Sequence, residues 1–278
     1  MGVSVVMVTY ASYPLTRRLL EPLIAGIGKE LDEIILVDSA SPDQTGEKLK
    51  TDFLALNYLP MPKNRGYGAA VNRGANQAKG DWLLIMNGDL EINPAQISRL
   101  RELAEADEAD LMAPLQETPE GIPIPTVRNF PTPSTILFAR RSPLGWLLGP
   151  RGGYLRPLPE KTEPVTGFVG GACFLVRKKK FLEVGGFDPN FFLFVEDTDL
   201  CRRLSEAGAK IFFTPEVRVR HYWSFSTGQN SLQKLGQQHA SLLYYFKKHF
   251  PTHRLFRVWL ACLFWIQRAL FRLLGMHR

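Results

Sequence analysis

The stretch Asp81-Trp-Leu-Leu-Ile-Met-Asn-Gly-Asp89 joins a continuous apolar run to a short polar turn. A run without alternation is typical of a strand that is buried on both faces of a sheet. Residues 3–9 and 33–37 have the same texture, and segments of helical character lie around these runs: 14–27, 45–56 and 72–78. Strands that alternate with helices predict an α/β fold, with a mostly parallel central sheet and helices on both faces.

Polar residues follow each of these strands. Thr9 and Tyr10 close the first, Asp38 the second and Asn87-Gly88-Asp89 the third. Ligands of open α/β sheets bind beyond the carboxyl ends of the strands, so we expect these residues to share one site. A carboxylate at Asp38 can accept hydrogen bonds from a base or ribose, although an aspartate in this position is also typical of a turn or a helix cap.

The segment Asn64-Arg-Gly-Tyr-Gly-Ala-Ala-Val-Asn-Arg-Gly74 is a second candidate ligand site, with Asn64, Gly66 and Asn72 as its candidate contacts. Glycines let a backbone approach a ligand closely, and a helix that begins near Ala69 would favour a phosphate at its N-terminus. An ordinary glycine turn explains the same residues.

Asn87-Gly88-Asp89 is the candidate metal site. Mg²⁺ and Mn²⁺ prefer oxygen ligands, which are usually one or two carboxylates together with substrate phosphates. Gly88 leaves room for a diphosphate, whereas a turn aspartate is the alternative interpretation. His221 lies after a predicted strand, and a lone histidine there fits either a metal ligand or a satisfied core residue.

Three carboxylates lie together in Phe194-Val-Glu-Asp-Thr-Asp-Leu-Cys-Arg-Arg-Leu204: Glu196, Asp197 and Asp199. They open a predicted helix that runs to Gly208, and capping or the helix dipole accounts for one or two of them. Capping does not explain the aromatic residues that precede the cluster (Phe191, Phe192 and Phe194) or the earlier Gly185-Gly186-Phe187 turn. A metal-bound leaving group that faces a general base would explain both acidic sites, and it indicates transfer chemistry.

Residues 114–164 hold eleven of the twenty prolines, together with Arg140, Arg141 and Trp146. Such a composition predicts loops and short pieces, either as a flap over the site or as a poorly ordered connector. Beyond it, residues 172–176, 211–213 and 217–219 are predicted to be short strands.

The net charge of +7 is unevenly distributed, because thirteen Lys and Arg but only Glu206 and Glu216 occur from residue 201 onward. A basic end implies an anionic partner. The three cysteines have no C-x-x-C spacing and no basic leader opens the chain, which together favour a reducing cytosol.

The final segment, 254–278, predicts an amphipathic helix. Arg254, Arg257, Arg268 and Arg272 form one stripe, apolar residues cover the rest, and the uninterrupted run 258–266 is too short to span a bilayer. A helix that lies in the membrane surface fits this pattern. The alternative is a helix docked on the protein's own core or on a partner subunit.

These motifs, in this order, resemble glycosyltransferase family 2, whose GT-A fold is Rossmann-like, and they are most similar to bacterial rhamnosyltransferases of cell-surface polysaccharide synthesis. The likeness runs from Val3 to about Gly228 and is weak over 114–164. It is strongest in Gly167-Phe-Val-Gly-Gly-Ala-Cys-Phe-Leu-Val-Arg177, in Gly185-Gly-Phe-Asp188 and over 192–204. The resemblance implies a GT-A domain over 1–230, with a nucleotide-binding half (1–113), the proline-rich loop region (114–164) and an acceptor and catalytic half (165–230). A basic helical region (231–278) follows.

The resemblance also implies roles for single residues. Thr9, Tyr10, Asp38, Asn64, Gly66, Asn72 and Asn87 would bind the nucleotide-sugar donor together with Asp89. Asp89 would be the last residue of a DXD motif and would hold Mg²⁺ or Mn²⁺ with His221, while Asn87 replaces the first acidic residue. Asp197 would be the general base, supported by Glu196 and Asp199, and Gly170, Gly171 and Glu196 would face the acceptor.

The implied activity is inverting, metal-dependent transfer of a sugar, with L-rhamnose from dTDP-rhamnose the first expectation and other UDP-, GDP- or dTDP-sugars open. The acceptor would be a lipid-linked or polysaccharide hydroxyl at the inner face of the cytoplasmic membrane, reached through the C-terminal helix. The resemblance does not specify an oligomeric state.

Three other classes of protein are alternatives. A sugar-phosphate nucleotidyltransferase would have a glycine-rich basic loop where this chain has Tyr10-Ala-Ser-Tyr-Pro14. A nucleic-acid-binding protein would interleave basic residues with exposed aromatic residues, whereas the basic residues here form a stripe on an apolar helix. A scaffold that only binds nucleotide sugar would not need both Asp89 and Asp197.

Overall fold

The computed structural model of the chain describes residues 2–138, 156–222 and 231–273. Arg140, Arg141 and Trp146 of the proline-rich region, and Gly228 at the limit of the family likeness, lie outside these ranges.

The described strands are, in chain order, β1 (Val3–Thr9), β2 (Glu33–Asp38), β3 (Asn57–Pro60), β4 (Trp82–Asn87), β5 (Leu90–Glu91), β6 (Leu111–Glu117), β7 (Val127–Arg128), β8 (Glu163–Pro164), β9 (Phe168–Val169), β10 (Cys173–Arg177) and β11 (Ile211–His221). The described helices are α1 (Tyr13–Ile24), α2 (Thr45–Asp52), α3 (Tyr67–Gln77), α4 (Pro94–Ala106), α5 (Pro133–Leu137), α6 (Lys178–Glu183), α7 (Glu196–Glu206), α8 (Ser231–His249) and α9 (Arg254–Leu273).

One large sheet organises the molecule, with strand order β3-β2-β1-β4-β10-β6-β11-β5 and with β8 paired to β11. Strands β1 to β4 are mutually parallel where they pair, and β6 and β11 run in the same direction. Strand β10 lies antiparallel between β4 and β6, and β5 and β8 are antiparallel to β11. The prediction of a mostly parallel sheet is confirmed.

The continuous apolar runs are buried because both faces of the sheet are covered. Successive residues of a strand point to opposite faces, so Val6 and Val8 of β1 join a cluster with α3 and α7, whereas Val5 and Met7 join another with α1, α2 and α4. The helices therefore hold the sheet rigid on both sides, and its carboxyl edge is left as the place where loops can build a site.

Two segments differ from their sequence-based expectations. Residues 211–213 and 217–219 are parts of one long strand, β11, which pairs with β6 on both sides of a register shift between Thr214 and Arg218. Pro215 lies within that shift, where a strand tolerates the missing N–H. Helix α3 begins at Tyr67, earlier than the predicted start near Ala69, because Gly66 caps it at φ 92°.

The C-terminal region is a pair of packed helices. Phe256 and Leu260 of α9 are buried against Tyr245 and Phe246 of α8, and Phe191 completes the cluster. None of the helices in the described part of the chain has the length and apolarity needed to cross a bilayer.

Candidate active site

A cavity of about 520 Å³ opens at the carboxyl edge of the parallel strands. The ends of β1, β4, β6 and β11 contribute Thr9, Asn87, Gln116 and His221 to its lining, and Asp89 follows β4. Asp197 of α7 lines the same cavity. The structure therefore brings the two predicted acidic sites, which are far apart in the chain, to one space.

A short backbone segment connects the two acidic sites. The N–H of Gly171 donates to Asp197 Oδ2 at 2.9 Å, and the next carbonyl, that of Ala172, accepts from the N–H of Asn87 at 2.9 Å. Tyr67 adds a third link, because its hydroxyl donates to the Gly171 carbonyl at 3.0 Å. The position of Asp197 relative to the end of β4 is thus fixed by hydrogen bonds.

Asp197 is held in one orientation by its neighbours. Its Oδ1 accepts from the backbone N–H of Thr198 at 2.7 Å and from the Thr198 hydroxyl at 3.2 Å. Burial raises the pKa of Asp197, although the hydrogen bonds from Gly171 and Thr198 and the charge of Arg128 work against that rise. A carboxylate with a raised pKa is a better proton acceptor than an exposed aspartate, as a general base requires.

Glu196, which precedes Asp197, has a different environment. It is 7% exposed, and its Oε2 has no hydrogen-bond partner among the described residues. Burial, followed by the charge of Asp197, raises the pKa of Glu196 to about 8. At neutral pH Glu196 therefore keeps its proton.

Asp89 and His221 form the other end of the site. Asp89 Oδ1 is buried, lacks a hydrogen-bond partner among the described residues, and lies 3.4 Å from His221 Nε2. His221 Nδ1 is 3.2 Å from Gln116 Oε1. This contact orients the imidazole so that its Nε2 faces Asp89.

Two electron-pair donors that face each other at this distance fit a divalent cation between them. No third histidine, cysteine or carboxylate in the described ranges joins them in a metal-binding cluster. A cation here would therefore complete its coordination with substrate phosphates and water.

Most of the predicted site residues line the cavity: Thr9, Tyr10, Asn64, Gly66, Asn87, Asp89, Gly170, Gly171, Asp197 and His221. Four do not, and the structure gives each a different setting. Asp38 is buried and accepts hydrogen bonds from the backbone and the hydroxyl of Ser41, while its neighbour Ser39 lines the cavity. Asn72 holds the backbone of Phe187 through both ends of its amide, at 2.7 and 2.9 Å.

Glu196 lies behind Asp197, and Asp199 points away from the cavity into an ion cluster. Asp199 is fully buried and contacts Arg203 at 2.8 Å, Lys248 at 2.7 Å and His249 at 2.8 Å. Despite its burial, these partners lower the pKa of Asp199. Asp199 therefore ties α7 to α8 and does not face the space in which an acceptor would lie.

The turn that delivers Asp197 is strained. Phe194 and Val195 both have φ of 67°, a left-handed conformation that is uncommon for a bulky residue and costs about 1–3 kcal/mol each. Close packing around Gly66 holds the same turn, because a Cβ on Gly66 would lie 2.1 Å from the Phe192 carbonyl oxygen. Gly66 therefore serves backbone packing in addition to lining the cavity.

Sequence reasoning missed several lining residues: Tyr67, Gln116, Thr126, Arg128, Phe168 and Lys234. Tyr67 stood inside the quoted glycine-rich segment, and its contact with Gly171 could only be found in three dimensions. Arg128 comes from the proline-rich region and Lys234 from α8, and neither belongs to a motif that the sequence reveals.

Comparisons with known proteins bear directly on this site. The profile described as Glycosyl transferase family 2 matches residues 4–185, and that described as Glycosyltransferase like family 2 matches 160–241. The chain is 32% identical over 252 residues to an N-acetylglucosaminyl-diphospho-decaprenol L-rhamnosyltransferase of Mycobacterium tuberculosis, across 85% of this chain and 81% of that relative. It is 25% identical over 156 residues to the rhamnosyltransferase WbbL of Escherichia coli, across 55% of this chain and 57% of that relative.

Solved structures show the same fold. GalNAc-T7 with UDP, GalNAc and Mn²⁺ superposes with a TM-score of 0.63 at 18% identity, over 87% of this chain and 48% of that one. The mannosyltransferase PcManGT from Pyrobaculum calidifontis, with GDP-Man and Mn²⁺, superposes with a TM-score of 0.59 at 15% identity, over 91% of this chain and 65% of that one. This chain thus spans about half of the first structure's length and about two thirds of the second's.

The GT-A expectation is thereby confirmed, and the profile match covers well over half of the chain. A shared fold alone would leave the activity open, but the matching profile and the long alignment with a rhamnosyltransferase of the same family identify an enzyme. The chain is a glycosyltransferase, and it belongs to glycosyltransferase family 2.

Proposed function

We propose that the protein is an inverting, metal-dependent glycosyltransferase that moves L-rhamnose from dTDP-rhamnose to a hydroxyl of a lipid-linked acceptor in cell-envelope glycan synthesis. One observation carries the proposal: Asp89 and Asp197 line a single cavity, and the Gly171-Ala172 backbone joins Asp197 to Asn87, two residues before Asp89. One carboxylate is suited to hold a cation, and the other is suited to take a proton.

Asp89 and His221 would hold the Mg²⁺ or Mn²⁺ ion, and Gln116 would orient the imidazole. When bound, such an ion stabilises the negative charge of a departing nucleoside diphosphate. Mn²⁺ in both solved relatives supports this assignment.

Asp197 would accept the proton of the acceptor hydroxyl while that oxygen attacks the anomeric carbon of the donor sugar. The hydrogen bonds from Gly171 and Thr198 hold the carboxylate in place. Because no second nucleophile is used, a single displacement inverts the anomeric configuration.

The relatives support the choice of substrates. The mycobacterial protein is named an L-rhamnosyltransferase that acts on N-acetylglucosaminyl-diphospho-decaprenol, and WbbL is named a rhamnosyltransferase. We therefore propose N-acetylglucosaminyl-diphospho-prenol as the acceptor class. Another UDP-, GDP- or dTDP-sugar is the alternative donor.

The C-terminal helix supports a location at the membrane surface. Helix α9 buries Phe256 and Leu260 against α8, while Leu255 and Trp265 on other faces are 87% and 72% exposed. Arg254 and Arg272 lie on the exposed side as well. An exposed apolar strip beside arginines is suited to an anionic lipid surface, which we place at the inner face of the cytoplasmic membrane.

A donor panel tests the proposal. The protein is incubated with N-acetylglucosaminyl-diphospho-prenol and dTDP-rhamnose, a UDP-sugar or a GDP-sugar, each with Mg²⁺, Mn²⁺ or EDTA. We expect transfer from dTDP-rhamnose only with metal, and inverted anomeric configuration in the product. Equal turnover in EDTA would exclude the metal role, and a retained configuration would exclude a single displacement. Transfer from a different donor would show that the transferred sugar is not rhamnose.

A further inference from the structure

Lys234 is a cation in the cavity wall. It lies in the first turn of α8, is half-buried, and lines the cavity together with Asp89 and Asp197. Its ammonium group forms no ion pair or hydrogen bond with any residue that the structure describes, and neither cavity carboxylate pairs with it. A partly buried charge that lacks a partner is unfavourable, so a lysine in this setting fits an anionic ligand.

The position of α8 indicates which substrate that anion belongs to. The Ser241 hydroxyl donates to the Leu193 carbonyl at 2.8 Å, so α8 packs on the segment that leads into Asp197. Asp89 and His221 would hold the cation that binds the donor diphosphate. Asp89 follows β4, and His221 is the last residue of β11. Lys234 is therefore held by the part of the fold that carries the proposed base, which is where an acceptor enters.

The same helix pair faces the proposed lipid surface. A Cβ built on Gly236, two residues beyond Lys234, would lie 3.8 Å from the Arg268 guanidinium of α9, and the ring of His239 stacks on Phe264 at 3.8 Å. The first turns of α8 thus pack on the second half of α9, which carries the exposed Trp265 and Leu270. An acceptor whose lipid lies along α9 would bring its phosphate groups to Lys234.

We propose that Lys234 binds the diphosphate group of a lipid-linked acceptor, and that it thereby selects prenyl-diphosphate-linked sugars over neutral glycosides. The inference rests on the proposed function in that it assigns Lys234 to that same site. It adds a binding residue on the acceptor side which no sequence motif marks.

The kinetic test uses the full chain and the variant Lys234→Met. We expect the KM for N-acetylglucosaminyl-diphospho-prenol to rise about 10-fold or more, as for the loss of one charge-assisted hydrogen bond. The KM for the nucleotide sugar and the KM for a neutral octyl N-acetylglucosaminide should not change. Lys234→Arg should retain most of the affinity, and Lys179→Met, an exposed lysine on α6, is the matched control.

A rise in the KM for the nucleotide sugar, or an equal rise for the neutral glycoside, would overturn the assignment. A binding measurement separates its failure from that of the proposed function. By calorimetry, wild-type protein should bind farnesyl diphosphate more tightly than farnesol or inorganic pyrophosphate, and Lys234→Met should remove that preference even if no rhamnose is transferred. Unchanged farnesyl diphosphate binding would refute the proposal, and so would a loss confined to binding of phosphatidylglycerol vesicles.

Discussion

Glu196 and Asp197 are adjacent in the chain, yet their surroundings differ in how far they stabilise a negative charge. Asp197 receives three hydrogen bonds, from Gly171 and Thr198, and these stabilise its charge. Glu196 Oε2 receives none from the described residues, and its pKa is raised to about 8. In other acid–base sites, too, differences in environment give two neighbouring carboxyl groups separate roles.

The raised pKa of Glu196 predicts a pH-dependent stability. Between the ordinary value of 4.5 and about 8 the folded protein holds a proton that the unfolded chain has lost, so the free energy of unfolding falls as pH rises through this window. Glu196→Gln, which cannot ionise, should therefore unfold at a higher temperature than wild type at pH 8.5, and at nearly the same temperature at pH 5. Thermal unfolding at both pH values measures this. The control is Glu160→Gln, an exposed position, and an equal shift at both pH values would contradict the explanation.

The sequence motifs and the family resemblance predicted Asp89, Asp197 and His221 as site residues, and the structure places all three in the cavity lining. The resemblance implied that Asp199 supports Asp197, and the residues alone could not show otherwise, since two carboxylates in one first turn look alike until their partners are known. The distinction comes from Lys248, which reaches Asp199 from a distant helix. Lys234 could not be predicted from the sequence either, because only the packing of α8 brings it into the cavity wall.

The contact between α7 and α8 is an ion cluster at the base of the site. Lys248 Nζ lies 2.7 Å from Asp188 Oδ2 and 2.7 Å from Asp199 Oδ1. Although burial works in the other direction, hydrogen bonds from Lys248 and Asn190 lower the pKa of Asp188 to about 2. One lysine of α8 thus contacts both the loop before α7 and the helix α7.

Removing that lysine should destabilise the protein. In Lys248→Met the fully buried Asp199 keeps only Arg203 and His249, and the expected loss is about 1–3 kcal/mol in the free energy of unfolding. Urea unfolding measures it. Lys247→Met is the matched control, because Lys247 is the exposed neighbour on the same helix. Equal stability of the two variants would show that the cluster contributes nothing.

The elements were predictable where local pattern decides them. The parallel strands β1, β2 and β4 are continuous apolar runs, and the sequence placed each within two residues of its observed bounds. The antiparallel insertion of β10 between β4 and β6 could not be predicted, because a buried strand looks the same in either direction. The left-handed turn at Phe194 and Val195 also escaped prediction, since tertiary packing imposes it against local preference.

The amphipathic pattern of the C-terminal segment left three interpretations open: a helix in the membrane surface, a helix on the protein's own core and a helix on a partner subunit. The structure shows that one face of α9 packs on α8, and that apolar side chains on the remaining faces are exposed. Arg257 leaves the predicted basic stripe, because its guanidinium donates to the carbonyls of Phe250 and Pro251 at the end of α8. The helix is thus anchored to the enzyme and still has an exposed apolar surface.

Membrane association should therefore depend on the exposed apolar residues of α9. The double variant Trp265→Ser, Leu270→Ser should lose at least about 10-fold in affinity for phosphatidylglycerol vesicles, because two apolar side chains no longer enter the interface. Vesicle co-sedimentation measures this. Leu54→Ser removes a leucine elsewhere on the surface that is even more exposed, and it should have no effect. Unchanged binding by the double variant would exclude α9 as the membrane surface.

The proposed activity of the whole enzyme depends on one sheet edge, where Asp89 and His221 would hold a cation and Asp197 would accept a proton in the same cavity. Asp197→Asn keeps the size and most hydrogen bonds of the side chain but cannot accept the proton. The most direct measurement is the kcat of this variant, together with its affinity for the nucleotide sugar in the presence of metal. We predict a kcat lower by about 10²- to 10⁴-fold with unchanged donor affinity. Turnover close to that of wild type would contradict the assignment of Asp197 as the base.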